Sequence, residues 1–423
     1  MENQINANTK FGFIPVSSSI TETPGEEIIG DLLPPLHSMG GEQFTDEMLN
    51  LPVPVFYLIS TGGTEEKVLS LQSRRKKSYG NNPVILLAHP GNNSLPASLE
   101  ILARLQQDDE NGKIVYIDEV TNKNWSGELE KIVKHHSVFH QLRQAKIGLI
   151  GEPSNWLVAS MPESGTIKKM WGPEVIRIDL EEFKSLIAEV KDEQIGDDQH
   201  YFTNRAVEIK EPSKKEIKSA VKVYAALKQL IHKYELTSVS VRCFDLVTDL
   251  KTTGCYALSK LNDEGTVAGC EGDLVSTIGM MWANYLTDQI IWMANPAQLD
   301  ESNNSIWLAH CTVPTSMVEN YKLRSHFESG IGVGIQGDLS KGKVTILRIG
   351  GRDLDKIWVS NGEITEAGAL ENLCRTQVKI KLHGTAKASD LLTSPLGNHI
   401  LMMRGSHAKE LTDWWEMFID KQR

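Results

Sequence analysis

The stretch Val267-Ala268-Gly269-Cys270-Glu271-Gly272-Asp273 sets two carboxylates two residues apart at the end of a short apolar run. Residues 274–285, which follow, carry apolar side chains at helical spacing. A strand that ends, turns and becomes a helix reads this way, and in an open α/β sheet ligands collect at the carboxyl ends of strands. Glu271 and Asp273 placed there would bind a divalent cation, move protons, or both. They equally suit the first turn of the following helix, where a side-chain oxygen caps free N–H groups and negative charge is favoured. These seven residues leave both readings open.

Upstream, residues 238–244 read as a strand with Asp245 at its end, 213–234 as a long helix and 255–264 as another helix. The pattern starts afresh at 146–160, with a strand at 147–150 and then Gly151-Glu152-Pro153-Ser154-Asn155-Trp156; a further strand lies at 175–180. Nearer the N-terminus, apolar runs at 11–20, 52–60, 83–88 and 113–118 alternate with helical spacing, as at 97–107. Such alternation predicts α/β architecture with mainly parallel sheets. Two local features read as connections. Thr61-Gly62-Gly63-Thr64 is a strand-to-helix turn or an anion cradle, and Arg74-Arg75-Lys76-Lys77 is a solvated basic loop or a partner contact.

Downstream of Ile306 the texture changes to Gly-rich, β-branched segments at 330–337, 343–349, 356–359, 377–382 and 398–403, which predict an antiparallel sheet or small barrel. Gly330-Ile331-Gly332-Val333-Gly334 reads as close strand packing, and 408–420 as an amphipathic helix with Trp414 and Trp415. A chain of 423 residues is too long for one core. The expected fold is therefore α/β: two Rossmann-like parallel-sheet domains, 1–144 and 145–305, followed by a C-terminal antiparallel β-barrel-like domain, 306–423.

A net charge of −11 argues against nucleic acid or an anionic membrane as partner. The five cysteines form no CxxC pair and are odd in number, which fits a reducing cytoplasm and gives no sign of a structural zinc site. Residues 1–10 lack the apolar core of a signal peptide. No apolar run approaches the roughly 20 residues that span a bilayer. A cytoplasmic protein is expected.

Three histidines stand in contexts that a metal site uses. His310 ends the run 306–310, His399 follows Gly397-Asn398, and His326 opens His326-Phe327-Glu328-Ser329-Gly330. A single imidazole is more often a satisfied core or surface group than a ligand. None lies at the HxxxH or HExxH spacing of a one-helix zinc site. Carboxylate and imidazole ligands with open positions suit manganese or another borderline divalent cation.

At this point the residues carry a resemblance. Ala268–Asp273 resembles the segment holding the first metal-binding glutamate of the L-fucose and L-arabinose isomerase superfamily. The order of other motifs matches too: Val241-Arg242-Cys243-Phe244-Asp245, Leu261-Asn262-Asp263-Glu264-Gly265, His310-Cys311-Thr312-Val313-Pro314 and Gly397-Asn398-His399 are similar to the short fucose-isomerase-like branch. The likeness covers about 146–407; the N-terminal part shares only the α/β texture. The resemblance implies a metal-dependent aldose–ketose isomerase acting on a free sugar through an ene-diol, with Mn2+ as the cofactor and a homo-oligomeric assembly. It implies Glu271, His310 and His399 as metal ligands. Where fucose isomerases have a second acidic ligand and base, this chain has Asn295, whose amide oxygen coordinates a cation but takes no proton at neutral pH. Asp273 and Asp245 are then the candidates for the base, with Trp156, Arg242, His326 and Arg404 as candidate substrate contacts. L-fucose and L-arabinose are the default substrates. An Arg in the site, from among Arg205, Arg242, Arg324 and Arg404, would instead fit an anionic C6 group, as in sulfoquinovose. Asn295 also keeps open a sugar-binding protein without catalysis.

Overall fold

The computed structural model describes residues 9–20, 24–80 and 82–420, so most of the polar stretch at 1–10 lies outside the described residues. The chain divides into two compact units, Met1–Gln141 with Asp413–Arg423, and Leu142–Thr412. Among the described residues no helix is long and apolar enough to cross a membrane.

The first unit holds β1 (Phe11–Val16), β2 (Gly41–Gln43), β3 (Val55–Ile59), β4 (Val84–Ala88) and β5 (Gly112–Tyr116), in the order β2-β1-β3-β4-β5. All pairs are parallel. The central strands read as near-continuous apolar runs because both sheet faces are covered. Phe11, Phe13, Phe56 and Leu58 pack into one core cluster, and Ile14, Val16, Tyr57 and Ile59 into the other. The basic run at 74–77 is not a loop. It lies inside the helix Glu65–Tyr79, and Arg75 is buried there. Val68, Leu71 and Gln72 set the inward face, and positions three and four further on return to it. The Arg75 guanidinium donates to the carbonyls of Leu49 and Val53 and contacts His140 Nε2 at 3.0 Å. Burial lowers its pKa to about 10.

In the second unit come β6 (Lys146–Ile150), β7 (Glu174–Ile178), β8 (Glu208–Ile209), β9 (Ser238–Val241) and β10 (Val267–Cys270). A parallel sheet runs β10-β9-β6-β7. Next are β11 (Trp292–Asp300), β12 (Ser305–His310), β13 (Tyr321–Arg324), β14 (Gly334–Gly337), β15 (Gly342–Gly350), β16 (Lys356–Gly368), β17 (Thr376–Leu382) and β18 (Ile400–Arg404). Six of these close a barrel, β11-β12-β17-β16-β15-β18, through antiparallel pairs. β14, β13 and β8 form a small separate sheet. The two parallel sheets and the antiparallel barrel are the architecture expected.

Three details differ from the expectation. The barrel begins at Trp292, inside the segment assigned to the central α/β domain, and Asn295-Pro296 sits within β11 beside a register shift. Gly330–Gly334 is not tight strand packing. Gly330 and Gly332 have φ of +67° and +63°, and a Cβ on Gly332 would lie 2.6 Å from Thr253 Cγ2, so this is a loop leading into β14. The terminal helix, Ala408–Phe418, is not solely an appendage of the barrel region, since residues from Asp413 onward belong to the first unit.

Two buried histidines of the first unit are expected to make it acid-sensitive. His136 packs edge-on between Phe56 and Phe418, with centroids at 5.4 and 5.1 Å. Burial lowers its pKa to about 3, and that of His135 to about 4. As pH falls below about 6.5, the unfolded chain takes up these protons before the native one does, so stability is lost progressively toward pH 4. Each histidine contributes a slope of up to about 1.4 kcal/mol per pH unit. Chemical unfolding at pH 7.5 and pH 5 is expected to show that loss, and His136→Phe to flatten it; an unchanged slope in the variant would assign the acid sensitivity elsewhere.

Candidate active site

The carboxyl ends of β6, β9 and β10 lie side by side and turn into 151–156, 242–245 and 271–273. After β10 the chain turns sharply: Glu271 has φ +64° and Gly272 φ +70°. The left-handed region costs a non-glycine residue about 1–2 kcal/mol, and such strain persists only where the surroundings enforce it. Here Glu271 O accepts from Ser154 N at 2.8 Å, and Gly272 N donates to Val241 O at 3.0 Å. A Cβ on residue 272 would fall 2.8 Å from Pro153 Cα, so only glycine lets the 152–156 loop come this close.

The two acids of the opening motif divide its two readings between them. Asp273 is the helix cap. It is fully buried, and its side chain accepts from Ser276 N at 2.8 Å and Ser276 Oγ at 2.7 Å. It also accepts from Arg348 at 3.3 Å, and its Oδ2 lies 2.9 Å from His399 Nδ1. Burial would raise its carboxyl; Arg348 and His399 outweigh that and hold it well below the usual carboxylate range. Glu271 points instead into a cavity of about 460 Å³. Trp156 Nε1–H donates to Glu271 Oε2 at 2.6 Å. Burial pushes the Glu271 carboxyl up, but His399, Trp156 and His310 together bring it below its ordinary value.

The barrel rim supplies the imidazoles. β11 lies between β12 and β18, so the end of β12, the middle of β11 and the residue before β18 converge. These positions are His310, Asn295 and His399. Asn295 pairs with Ala309 in register, and its amide reaches Asn398 O at 3.5 Å. The His310 and His399 rings lie 5.8 Å apart, edge to face. Burial lowers His310 to about 3, so the ring is neutral, and its Nδ1 lies 2.7 Å from Thr312 Oγ1. Burial alone would lower His399, yet Asp273 and Glu271 raise it.

Glu271, His310 and His399 each offer one ligand atom, and these atoms lie within 4.8 Å of one another. His399 Nε2 is 3.5 Å from Glu271 Oε1, too far for a good hydrogen bond, and it is buried without a hydrogen-bond partner. A buried, unpartnered ring nitrogen near a carboxylate, on a ring whose other nitrogen is held by Asp273, is the arrangement that carboxylate–histidine–metal sites use. The residues therefore fit a divalent cation.

The other predicted residues separate clearly. Trp156, Asn295 and His326 line the cavity. His326 packs edge-on against Phe244, and burial lowers it to about 4. Asp273 and Asp245 are not cavity walls. Asp273 stands behind His399, and Asp245 pairs with Arg242 at 2.9 Å, so neither is placed to act as base. Arg242 donates to Pro153 O at 2.8 Å and clamps the Trp156 loop rather than facing the cavity. Arg404 bonds Ser340 O at 2.7 Å, Arg324 pairs with Glu211 and Glu371, and Arg205 bonds Tyr201, each away from the cavity walls. Short-range polar partners outcompete any distant role for these flexible cations.

Two residues escaped sequence reasoning. Arg348 is buried near the end of β15 and bonds Asp273, Ser276 and Ser160. Nothing in its local pattern, Leu347-Arg348-Ile349, signals this. Glu328 lines the cavity, and burial together with the Glu271 charge raises its carboxyl. Its place two residues after His326 was the available signal.

No family model matches the chain. It is similar to sulfoquinovose isomerases. That of Alkalicoccus urumqiensis is 20% identical over 285 residues, 66% of this chain and 64% of that protein. That of Priestia megaterium (strain ATCC 12872 / QMB1551) is 25% identical over 219 residues, 50% of this chain and 49% of that protein. The matches thus span about half to just under two thirds of these relatives' own length.

Removing one partner of a buried ion pair costs roughly 3–5 kcal/mol, because the other charge is left unpaired. Asp273→Asn is expected to lower the unfolding free energy by about that much in urea titration. A loss under about 1 kcal/mol would mean that Arg348 and His399 find other partners.

Proposed function

We propose that the protein is a metal-dependent aldose–ketose isomerase of the fucose/arabinose-isomerase type, and that its substrate is sulfoquinovose, converted to 6-deoxy-6-sulfofructose. The observation that carries this reading is the convergence of Glu271, His310 and His399, distant in sequence, on one cluster, with Glu271 and His310 among the cavity walls. The similarity to proteins named sulfoquinovose isomerase supports the choice of sugar.

Glu271, His310 and His399 would hold the cation, Mn2+ by the donor set, with the Asn295 amide beside them. A bound cation would supply Lewis-acid polarisation of the sugar carbonyl. Trp156 fixes one Glu271 oxygen, and Asp273 fixes the His399 ring, so these ligands are oriented before the sugar arrives. Proton transfer falls to Glu328, the other carboxylate among the cavity walls. It takes the C2 proton on a carboxylate oxygen and returns it at C1, while the O2 hydroxyl proton passes to O1; burial and the Glu271 charge raise its carboxyl. Assembly as a homo-oligomer in the cytoplasm belongs to the same proposal.

A second reading has its own observation. None of the described cavity-lining residues is Lys or Arg, so a neutral aldose such as L-fucose or L-arabinose fits the walls of one chain as well as a sulfonated one.

Turnover of sulfoquinovose, L-fucose and L-arabinose with added Mn2+ separates these readings. Ketose formation from sulfoquinovose at least tenfold more efficient than from the neutral sugars is expected. The reverse ranking selects the neutral aldose, and thermal stabilisation by a sugar without any product selects a non-catalytic binder. Glu271→Gln is expected to lose bound metal and turnover together. Glu328→Gln is expected to reduce kcat by at least 100-fold while sugar-induced stabilisation persists; retention of kcat would remove Glu328 from proton transfer.

A further inference from the structure

All five cysteines of the chain line the same cavity as Glu271. They come from different elements: Cys243 opens the helix after β9, Cys270 ends β10, Cys255 starts another helix, Cys311 follows β12, and Cys374 precedes β17. None is in a disulfide. Two pairs are in contact: Cys311 with Cys374, and Cys243 with Cys270. β9 and β10 are adjacent parallel strands with Val241 paired to Cys270, which brings residue 243 over the end of β10. The Cys243 and Cys270 sulfurs lie 2.9 Å apart. A disulfide bond is about 2.05 Å long, so closure needs an approach of about 0.9 Å.

We propose that Cys243 and Cys270 are a redox-modification site: a hydroperoxide entering the cavity joins them in a reversible disulfide that disables the Glu271 site. One sulfur attacks a peroxide oxygen, the O–O bond breaks, and a sulfenic acid and water form. The second thiol then attacks the sulfenic sulfur, the S–O bond breaks, and a second water leaves. Two thiols and one hydrogen peroxide thus become one disulfide and two waters; the sulfurs are oxidised and the peroxide is reduced. A thiol reductant reverses the bond.

The consequence for the site follows from the backbone. Cys270 is bonded directly to Glu271, whose left-handed turn is pinned by Ser154 and by the contact of Gly272 with Val241. Pulling Cys270 toward Cys243 shifts Glu271 by a fraction of an ångström, and misplacement of about 1 Å costs a reacting constellation on the order of 100-fold. The cross-link itself is independent of the chemistry assigned to the site; the loss of turnover rests on the isomerase reading.

The test uses the full chain, treated with hydrogen peroxide and digested without reduction. The expected result is a peptide pair linked through Cys243 and Cys270, 2 Da lighter than the free thiols and released by dithiothreitol. Sugar turnover of the same sample is expected to fall at least tenfold and to recover on reduction. In Cys243→Ser, and in Cys243→Ala should the serine variant fold poorly, the linked peptide disappears and the ratio of treated to untreated activity rises toward one. Sulfinic acid without linkage, or a Cys311–Cys374 link in its place, overturns the proposal. So does full turnover in completely cross-linked protein. The linked peptide is read by mass without substrate, so an enzyme that converts no sugar before treatment removes the isomerase reading and leaves the cross-link to be decided by mass alone.

Discussion

Asp273 is the group on which the candidate site depends. Its carboxylate is fully buried and binds three separate parts of the second unit: the N-terminus of the helix Leu274–Thr287, Arg348 in the barrel strand β15, and His399 at the barrel rim. A carboxylate without partners would be very costly in such surroundings. Each partner offsets part of that cost, and together they fix how the parallel sheet end meets the barrel. Because Glu271 lies two residues earlier, its direction is set by the same network. The site is thus assembled where two kinds of sheet meet, with an acid from a parallel strand end and imidazoles from an antiparallel rim.

The network also separates holding from reacting. Asp273 is locked as an anion behind His399, and Arg242 with Asp245 braces the loop that carries Trp156. None of these side chains needs to touch a sugar for its removal to harm the site. The groups that face the cavity, Glu271, His310, His326, Asn295 and Glu328, are more varied in kind. Their protonation differs for physical reasons: burial keeps His310 and His326 neutral, charge partners lower Glu271, and burial with the Glu271 charge raises Glu328. The left-handed turn at Glu271 fits this picture, since backbone strain is kept where the surroundings over-determine it.

The order of elements was legible in the sequence because apolar periodicity and glycine punctuation are local signals. They marked the α/β halves, the change to antiparallel strands and the strand-to-helix turn at 267–273. Glu271, His310 and His399 were legible as a set only through the order of several motifs, since no one of them has a diagnostic spacing. The part that was not legible is instructive. β11 was hidden by Asn295-Pro296, and the basic run 74–77 concealed a buried arginine inside a helix.

The amino-acid order by itself determined most of the strands and helices, and that an acid would end β10 beside a helix start. Tertiary structure alone decided which acid faces the cavity, that Arg348 and His399 share one carboxylate, and that five scattered cysteines meet at its wall. The physical reason is range. Propensity and periodicity act over a few residues, whereas ion pairing, burial and sulfur contact depend on which distant segments the closed barrel and the parallel sheet bring together.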